Sequence, residues 1–191
     1  MFWPQSIPVA AMIAIIAATV LRGIAIRRRT GDRPLAFLEA RGIQRIAGLS
    51  FAASTAALIV ASGMAAWDGK TVLMLPAAIV ALVGAAVVIV AQVQMGRAWR
   101  IGVRASDAPL FISHGLFRFS RNPIFVGMML VGLAAAMASG LWWAWAALAV
   151  FVMSCAVQVR IEEAHLEASF GQPYRAFRAT VPRWLGWKRA A

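Results

Sequence analysis

Arg121-Asn122-Pro123-Ile124-Phe125-Val126-Gly127 opens an apolar run that continues to Ala138, turns at Ser139-Gly140 and returns from Leu141 to Val159. A two-residue link between such runs leaves room only for a tight helical turn. The first arm holds about sixteen residues, or roughly 24 Å as helix, short for a ~30 Å hydrocarbon core. Such an arm is tolerable when one end lies inside protein or in a water-filled pocket. The second arm runs out into Arg160-Ile161-Glu162-Glu163. Two clusters of charge therefore face each other at the mouth of a membrane hairpin. That arrangement suits the capture of a small zwitterion beside an apolar substrate.

Composition supports the membrane setting. The 191 residues are 62% hydrophobic and 14% charged, against about 25% charged in soluble domains. The length suits one compact membrane domain. A formal charge of +12 could suggest nucleic acid, but the basic residues lie between apolar runs rather than on one soluble face. The one cysteine, Cys155, falls inside an apolar run and reads as a small core residue; alone, it excludes an intrachain disulfide and a cysteine-based metal cage.

Three further apolar runs precede the hairpin, at about 7–26, 46–67 and 71–95. The first has no positive residues before it and Arg27-Arg28-Arg29 after it, the reverse of a signal peptide, and reads as a retained anchor. The expected fold is therefore an all-α polytopic bundle of about five transmembrane helices, with a short C-terminal hairpin at 123–159 and a cytoplasmic C-terminal helix. Residues 1–95 hold three N-terminal spans of a single membrane domain, and 96–191 the hairpin with its basic flanks. Lysine and arginine number six in 27–45, five in 96–121 and six in 160–191, leaving only Arg22 and Lys70 elsewhere. With five alternating spans all three basic segments share one side, which the positive-inside tendency makes cytoplasmic, with the N-terminus outside. A bacterial inner membrane fits this pattern. Ala77, Ala81 and Ala85, or Ser50 and Ser54, recur at helical spacing and permit close helix approach, although generic Ala-rich membrane sequence does the same. Trp142, Trp143 and Trp145 read as an interfacial belt on the outer face.

Candidate chemistry concentrates on the basic side. Pro123 suits the first turn of a helix and Asn122 its N-cap. Arg118 and Arg121 crowd that helix start, which also offers free N–H groups to an anion. Glu162, Glu163 and Glu167 are three of only seven acids. Arg160 and Glu163 can share a helix face, whereas Glu163 and Glu167 repel unless a cation lies between them. A buried glutamate requires a cationic partner, and a ligand ammonium could be one. The segment Met95-Gly96-Arg97-Ala98-Trp99-Arg100 is either a membrane-surface loop or a flap over a pocket. His114 and His165 match no metal-ligand spacing, so no metal is expected. Gly171 and Pro173 close the long helix. Beyond them Tyr174, Phe177, Val181 and Trp184 alternate with Arg175, Arg178 and Arg183, a composition suited to an anionic leaflet.

At these residues the chain resembles the isoprenylcysteine carboxyl methyltransferase family, within the wider group that includes phospholipid N-methyltransferases. Gly115-Leu116-Phe117 leading to Arg121-Asn122-Pro123-Ile124-Phe125-Val126-Gly127 is similar to that family's G-x-[YF]…R-[HN]-P-x-Y-x-G. Arg160-Ile161-Glu162-Glu163-Ala164-His165-Leu166, Phe170-Gly171-Gln172-Pro173-Tyr174 and Val181-Pro182 are similar to R-x-E-E-x-x-L-x-x-x-F-G-x-x-Y…V-P. The likeness covers roughly 95–185. It implies a site for S-adenosyl-L-methionine between hairpin and C-terminal helix, open to the cytoplasm, with a lipid-like or hydrophobic substrate arriving from the bilayer. By position it implies that Gly115, Leu116, Arg121, Asn122 and Pro123 line the cofactor and that Glu163 holds its ammonium. Arg160 and Glu162 become the catalytic candidates: Arg160 as clamp for a carboxylate acceptor, Glu162 as base for an amine. Asn122 stands where many members have His, and Phe125 replaces the usual Tyr, so a hydroxyl contact is lost. The competing reading is a small membrane transporter or lipid-binding protein, which requires polar residues near mid-membrane. Gln92 and Gln94 lie only near one end of the third run. A nicotinamide-dependent membrane reductase would require more phosphate-binding donors.

Overall fold

The structure is a computed structural model and describes residues 4–30, 41–68, 73–96 and 112–186. A short 3-10 turn at Pro4–Ser6 leads into α1 (Ile7–Thr30), followed by α2 (Gly42–Asp68), α3 (Met74–Met95), α4 (Pro123–Ser139), α5 (Trp142–Phe170) and α6 (Gln172–Thr180). Among the described residues there is no strand. Helices α1, α2, α3 and α5 are long and apolar enough to cross a bilayer, and α4 is a shorter apolar helix of 17 residues. The chain is an integral membrane helical bundle, and all five expected apolar runs are helices.

The short helix is the central one. α4 packs against α1, α2, α3 and α5, most extensively against α3. Val131, Ala134, Ala135, Ala136 and Ala138 are buried along it. A helix apolar all round belongs in an interior, and a helix sheathed by protein need not match the bilayer thickness itself. Its C-terminus turns in the left-handed conformation at Gly140 (φ 63°). The Ser139 hydroxyl donates to the Ala136 carbonyl and accepts the Leu141 N–H, so two side-chain bonds complete the tight link.

Close approach is concentrated where α3 crosses α4. A Cβ added at Gly127 would lie 2.7 Å from the Gly84 carbonyl oxygen and 3.0 Å from the Val88 nitrogen; one at Gly84 would lie 2.7 Å from the Gly127 oxygen. Backbone meets backbone there, the arrangement small residues permit in lipid. Ala77 and Ala81 are also fully buried on α3, and Ala85 packs against the core. Across the other side of α4, α2 meets α5 through Phe51 and Phe151, whose ring centroids are 4.9 Å apart. Cys155 is fully buried in the same core. Ser54 and Ser154 satisfy their hydroxyls on carbonyls four residues earlier, which removes the cost of placing them in an apolar bundle.

α5 has 29 residues, about 44 Å at 1.5 Å per residue, and so projects beyond a ~30 Å core. The projecting end carries Glu162, Glu163 and Glu167 to the level where α4 begins. It stops at Gly171 (φ 55°), as the Gly-Gln-Pro sequence implied. At the opposite end Trp142 is 81% and Trp67 92% exposed, whereas Trp143 packs partly against the core. The expected belt is therefore split between lipid-facing and inward-facing rings.

Candidate active site

The charged end is assembled from the sequence upward by three links to α3. Gln92 donates to Thr19 at 3.0 Å and Arg22 to the Gly96 carbonyl at 2.9 Å, tying α1 to α3. Gln94 accepts the Leu116 N–H at 2.8 Å. That bond seats a 3-10 turn, Gly115–Arg118, on the end of α3. Gly115 enters the turn at φ 60°, with an added Cβ only 2.3 Å from the Gln94 amide. Glycine is therefore required twice over, by backbone and by space. Gly115→Ala is expected to cost about 1–2 kcal/mol from the left-handed backbone alone, plus displacement of Gln94. Unfolding midpoints for Gly115→Ala, Gln94→Ala and the double variant check this. A double variant less damaged than the sum of the singles supports the contact, and strict additivity contradicts it.

From this turn the chain passes through Ser120, Arg121 and Asn122 into α4. Asn122 occupies the N-cap position, but its side chain does not cap. Its Nδ2 instead donates to Glu163 Oε1 at 3.2 Å and to the Arg183 carbonyl at 3.1 Å. The cap expectation is thus corrected: the carboxamide is turned away from the helix start by stronger partners, one of them a charged carboxylate. Pro123 follows as the first residue of α4, the position expected of it, and is buried.

Glu163 is the centre of the cluster. Its side chain is 5% exposed, and Arg121 Nε donates to Oε1 at 3.0 Å. Arg183 donates through Nε at 3.0 Å and Nη2 at 2.8 Å to Oε2. The two charge clusters foreseen at the hairpin mouth do meet, across 42 residues of sequence. Arg121 also binds the tail: its Nη1 donates to the Arg178 and Val181 carbonyls, and its backbone N–H to the Pro182 carbonyl. Ser120 Oγ reaches the Arg183 carbonyl at 3.3 Å. Residues 120–122 therefore clasp residues 178–183 by backbone and side chain together.

Several expectations shift in position. Arg160 is exposed and is not the partner of Glu163; the helix turns it outward while Glu163 faces the bundle. Glu162, half-buried, accepts a hydrogen bond from Gln158 at 3.2 Å. Glu163 and Glu167 avoid mutual repulsion because Arg121 and Arg183 hold the first and Arg178 pairs with the second. The tail residues Tyr174 and Val181 are buried against protein rather than spread on a leaflet. Burial pushes the Tyr174 phenol well above its usual range, with Glu163 adding to the effect. Arg183, read from sequence as interfacial, is an ion-pair partner, and its hydrogen bonds to Glu163 raise its pKa. Gln94, Ser120 and Arg183 were not among the candidate site residues. Only the position of Arg183, directly after the Val181-Pro182 match, hinted at its role. The segment 97–111, including most of the basic-aromatic stretch after α3, lies outside the described residues.

Most of the residues that build this cluster, though not the 178–183 tail, fall within a match to a known family. No curated protein and no solved structure matches the chain. The family described as Phospholipid methyltransferase matches residues 74–173, from the first turn of α3 through the first turn of α6. That span covers more than half of the chain and includes Gln94, Gly115, Arg121, Asn122 and Glu163. The protein belongs to the phospholipid methyltransferase family and is a membrane methyltransferase.

Proposed function

We propose that this protein transfers a methyl group from S-adenosyl-L-methionine to a carboxylate or amine on a lipid-like acceptor, at the cytoplasmic rim of the membrane. The observation that carries this reading is the buried Arg121–Glu163 pair at 3.0 Å, joined to a glycine turn and the start of α4. A zwitterionic amino-acid moiety needs one anion and several directed donors. Glu163 is suited to its ammonium and the Arg121 guanidinium to its carboxylate; by position in the resemblance Gly115, Leu116, Asn122 and Pro123 line the same site, with the Leu116 N–H and the Asn122 amide fixing its shape through Gln94, Glu163 and the Arg183 carbonyl. In kind, the residues present fit the cofactor.

When bound, the sulfonium supplies an electrophilic methyl group that needs no metal. The protein's share is placement, since holding donor and acceptor about 3–3.5 Å apart is itself a large rate effect. Phe117, Val126 and Tyr174, from the turn, α4 and α6, are buried, which suits a site that must be shielded from water. Arg160, exposed on α5 just beyond its apolar stretch, can pair with a carboxylate acceptor that remains partly in the headgroup layer. Glu162, whose hydrogen bond from Gln158 is neutral, can take the proton of an ammonium acceptor. On this reading 1–95 is chiefly scaffold and 96–191 the catalytic part, with the N-terminus outside and the basic end cytoplasmic. The apolar sheath suits lipid substrates approaching laterally.

The test is to incubate purified protein with labelled S-adenosyl-L-methionine and a membrane lipid extract, then identify any labelled lipid. A labelled product lost in Glu162→Gln but kept in Arg160→Gln identifies an amine acceptor. The reverse identifies a carboxylate. No transfer from the cofactor to any lipid removes this reading.

A further inference from the structure

Glu163 cannot take a ligand ammonium in the arrangement described. A carboxylate offers about four acceptor positions. Two on Oε1 are filled by Arg121 Nε and Asn122 Nδ2, and two on Oε2 by Arg183 Nε and Nη2. A cation can therefore reach Glu163 only by displacing a donor already there, and the Asn122 amide is buried and also tied to the Arg183 carbonyl.

The two arginines are not equally replaceable. The Arg121 side chain is 8% exposed and is bound through Nη1 to the Arg178 and Val181 carbonyls as well as to Glu163. The Arg183 side chain is 36% exposed. Its backbone carbonyl is held independently by Asn122 and Ser120, so the guanidinium can swing outward while the main chain stays in place. Once it has left, Arg121 and Asn122 still compensate the buried carboxylate, and the penalty for an unpaired charge is avoided.

We propose that the Arg183 side chain is an internal cationic plug that occupies the ammonium position on Glu163 Oε2 and must swing away for a zwitterionic ligand to bind. This rests on the cofactor reading above and adds a gate to the same site. The exchange is cation for cation on one carboxylate oxygen, so the net charge of the cluster is conserved. A minor open form is commonly about 10% or less of molecules, and apparent affinity scales with that fraction. Removing the plug therefore tightens binding by roughly tenfold or more.

Calorimetric titration of the full chain in detergent tests this with S-adenosyl-L-methionine and, in parallel, with methylthioadenosine, which lacks the amino-acid moiety. Arg183→Gln is expected to bind the first about tenfold more tightly than wild type and the second unchanged. Arg183→Lys, which keeps the charge but not the two-pronged contact, should fall between. If Arg183→Gln fails to fold, a tighter Arg183→Lys supports the plug and an unchanged one overturns it. Equal or weaker binding of S-adenosyl-L-methionine by Arg183→Gln overturns the plug and leaves the cofactor reading standing. Equal tightening for both ligands also overturns it, because Oε2 is then not the point of competition. Binding by neither wild type nor variant removes the cofactor reading and the plug together.

Discussion

Glu163→Ala is expected to destabilise the protein by about 3–5 kcal/mol, the cost of leaving a buried charge without its partner. Arg121, 8% exposed, would lose the carboxylate that compensates it. Asn122 Nδ2 and two Arg183 donors would lose an acceptor at the same time. The damage should extend beyond α5, because the same cluster fastens residues 178–183 to the start of α4. For a chain of this length the loss corresponds to a fall of roughly 10 °C in the unfolding midpoint, measurable by thermal denaturation in detergent. Glu163→Gln keeps one acceptor oxygen and the side-chain shape, so it should lose less. Trypsin sensitivity at Arg178 and Arg183 should rise in the alanine variant as the clasp loosens. A midpoint within a degree or two of wild type would show that the cluster contributes little.

The second large effect is expected at Gly127→Leu. The obstacle to a side chain there is the Gly84 carbonyl and the Val88 nitrogen, both main-chain atoms of α3. A flexible side chain could rotate aside, whereas a helix backbone must move as a unit. Overpacking commonly costs about 1–3 kcal/mol, and this position belongs at or above the upper end. Gly84→Leu should behave alike, and the pair should be non-additive because either one already separates the helices. Gly63→Ala in α2 is the internal control: nothing lies within 4 Å of its added Cβ, so it should be neutral or stabilising by up to about 1 kcal/mol. Equal midpoints for Gly127→Leu and Gly63→Ala would refute the close crossing. A functional consequence follows, since Gly127 lies one turn beyond Pro123, and tilting α4 displaces the residues that hold Glu163.

Much of the architecture is legible in the sequence. Five apolar runs became five helices because apolar length in lipid leaves the backbone almost no alternative to helix. The turn at Ser139-Gly140 and the stop at Gly171 followed from local backbone preferences of glycine. The meeting of Arg121 with Glu163 was also foreseeable, since both flank the two arms of one hairpin. Other parts were not. Asn122 looked like a cap because its neighbours are those of a cap; its real partners, Glu163 and the Arg183 carbonyl, are 41 and 61 residues away. Arg160 and Glu163 could share a helix face by spacing, but spacing alone does not show which side of α5 faces protein.

Local chemistry therefore determined what could be said from the sequence itself: where helices run, where they stop, and which end of the bundle carries charge. These follow from transfer free energies and backbone preferences that act over a few residues. Tertiary structure alone decided that Arg183 reaches Glu163, that Gln94 seats the Gly115 turn, and that Gly84 meets Gly127. Each depends on how helices are rotated and folded back on one another. That rotation is set by the summed packing of the whole bundle, which no short window of sequence contains.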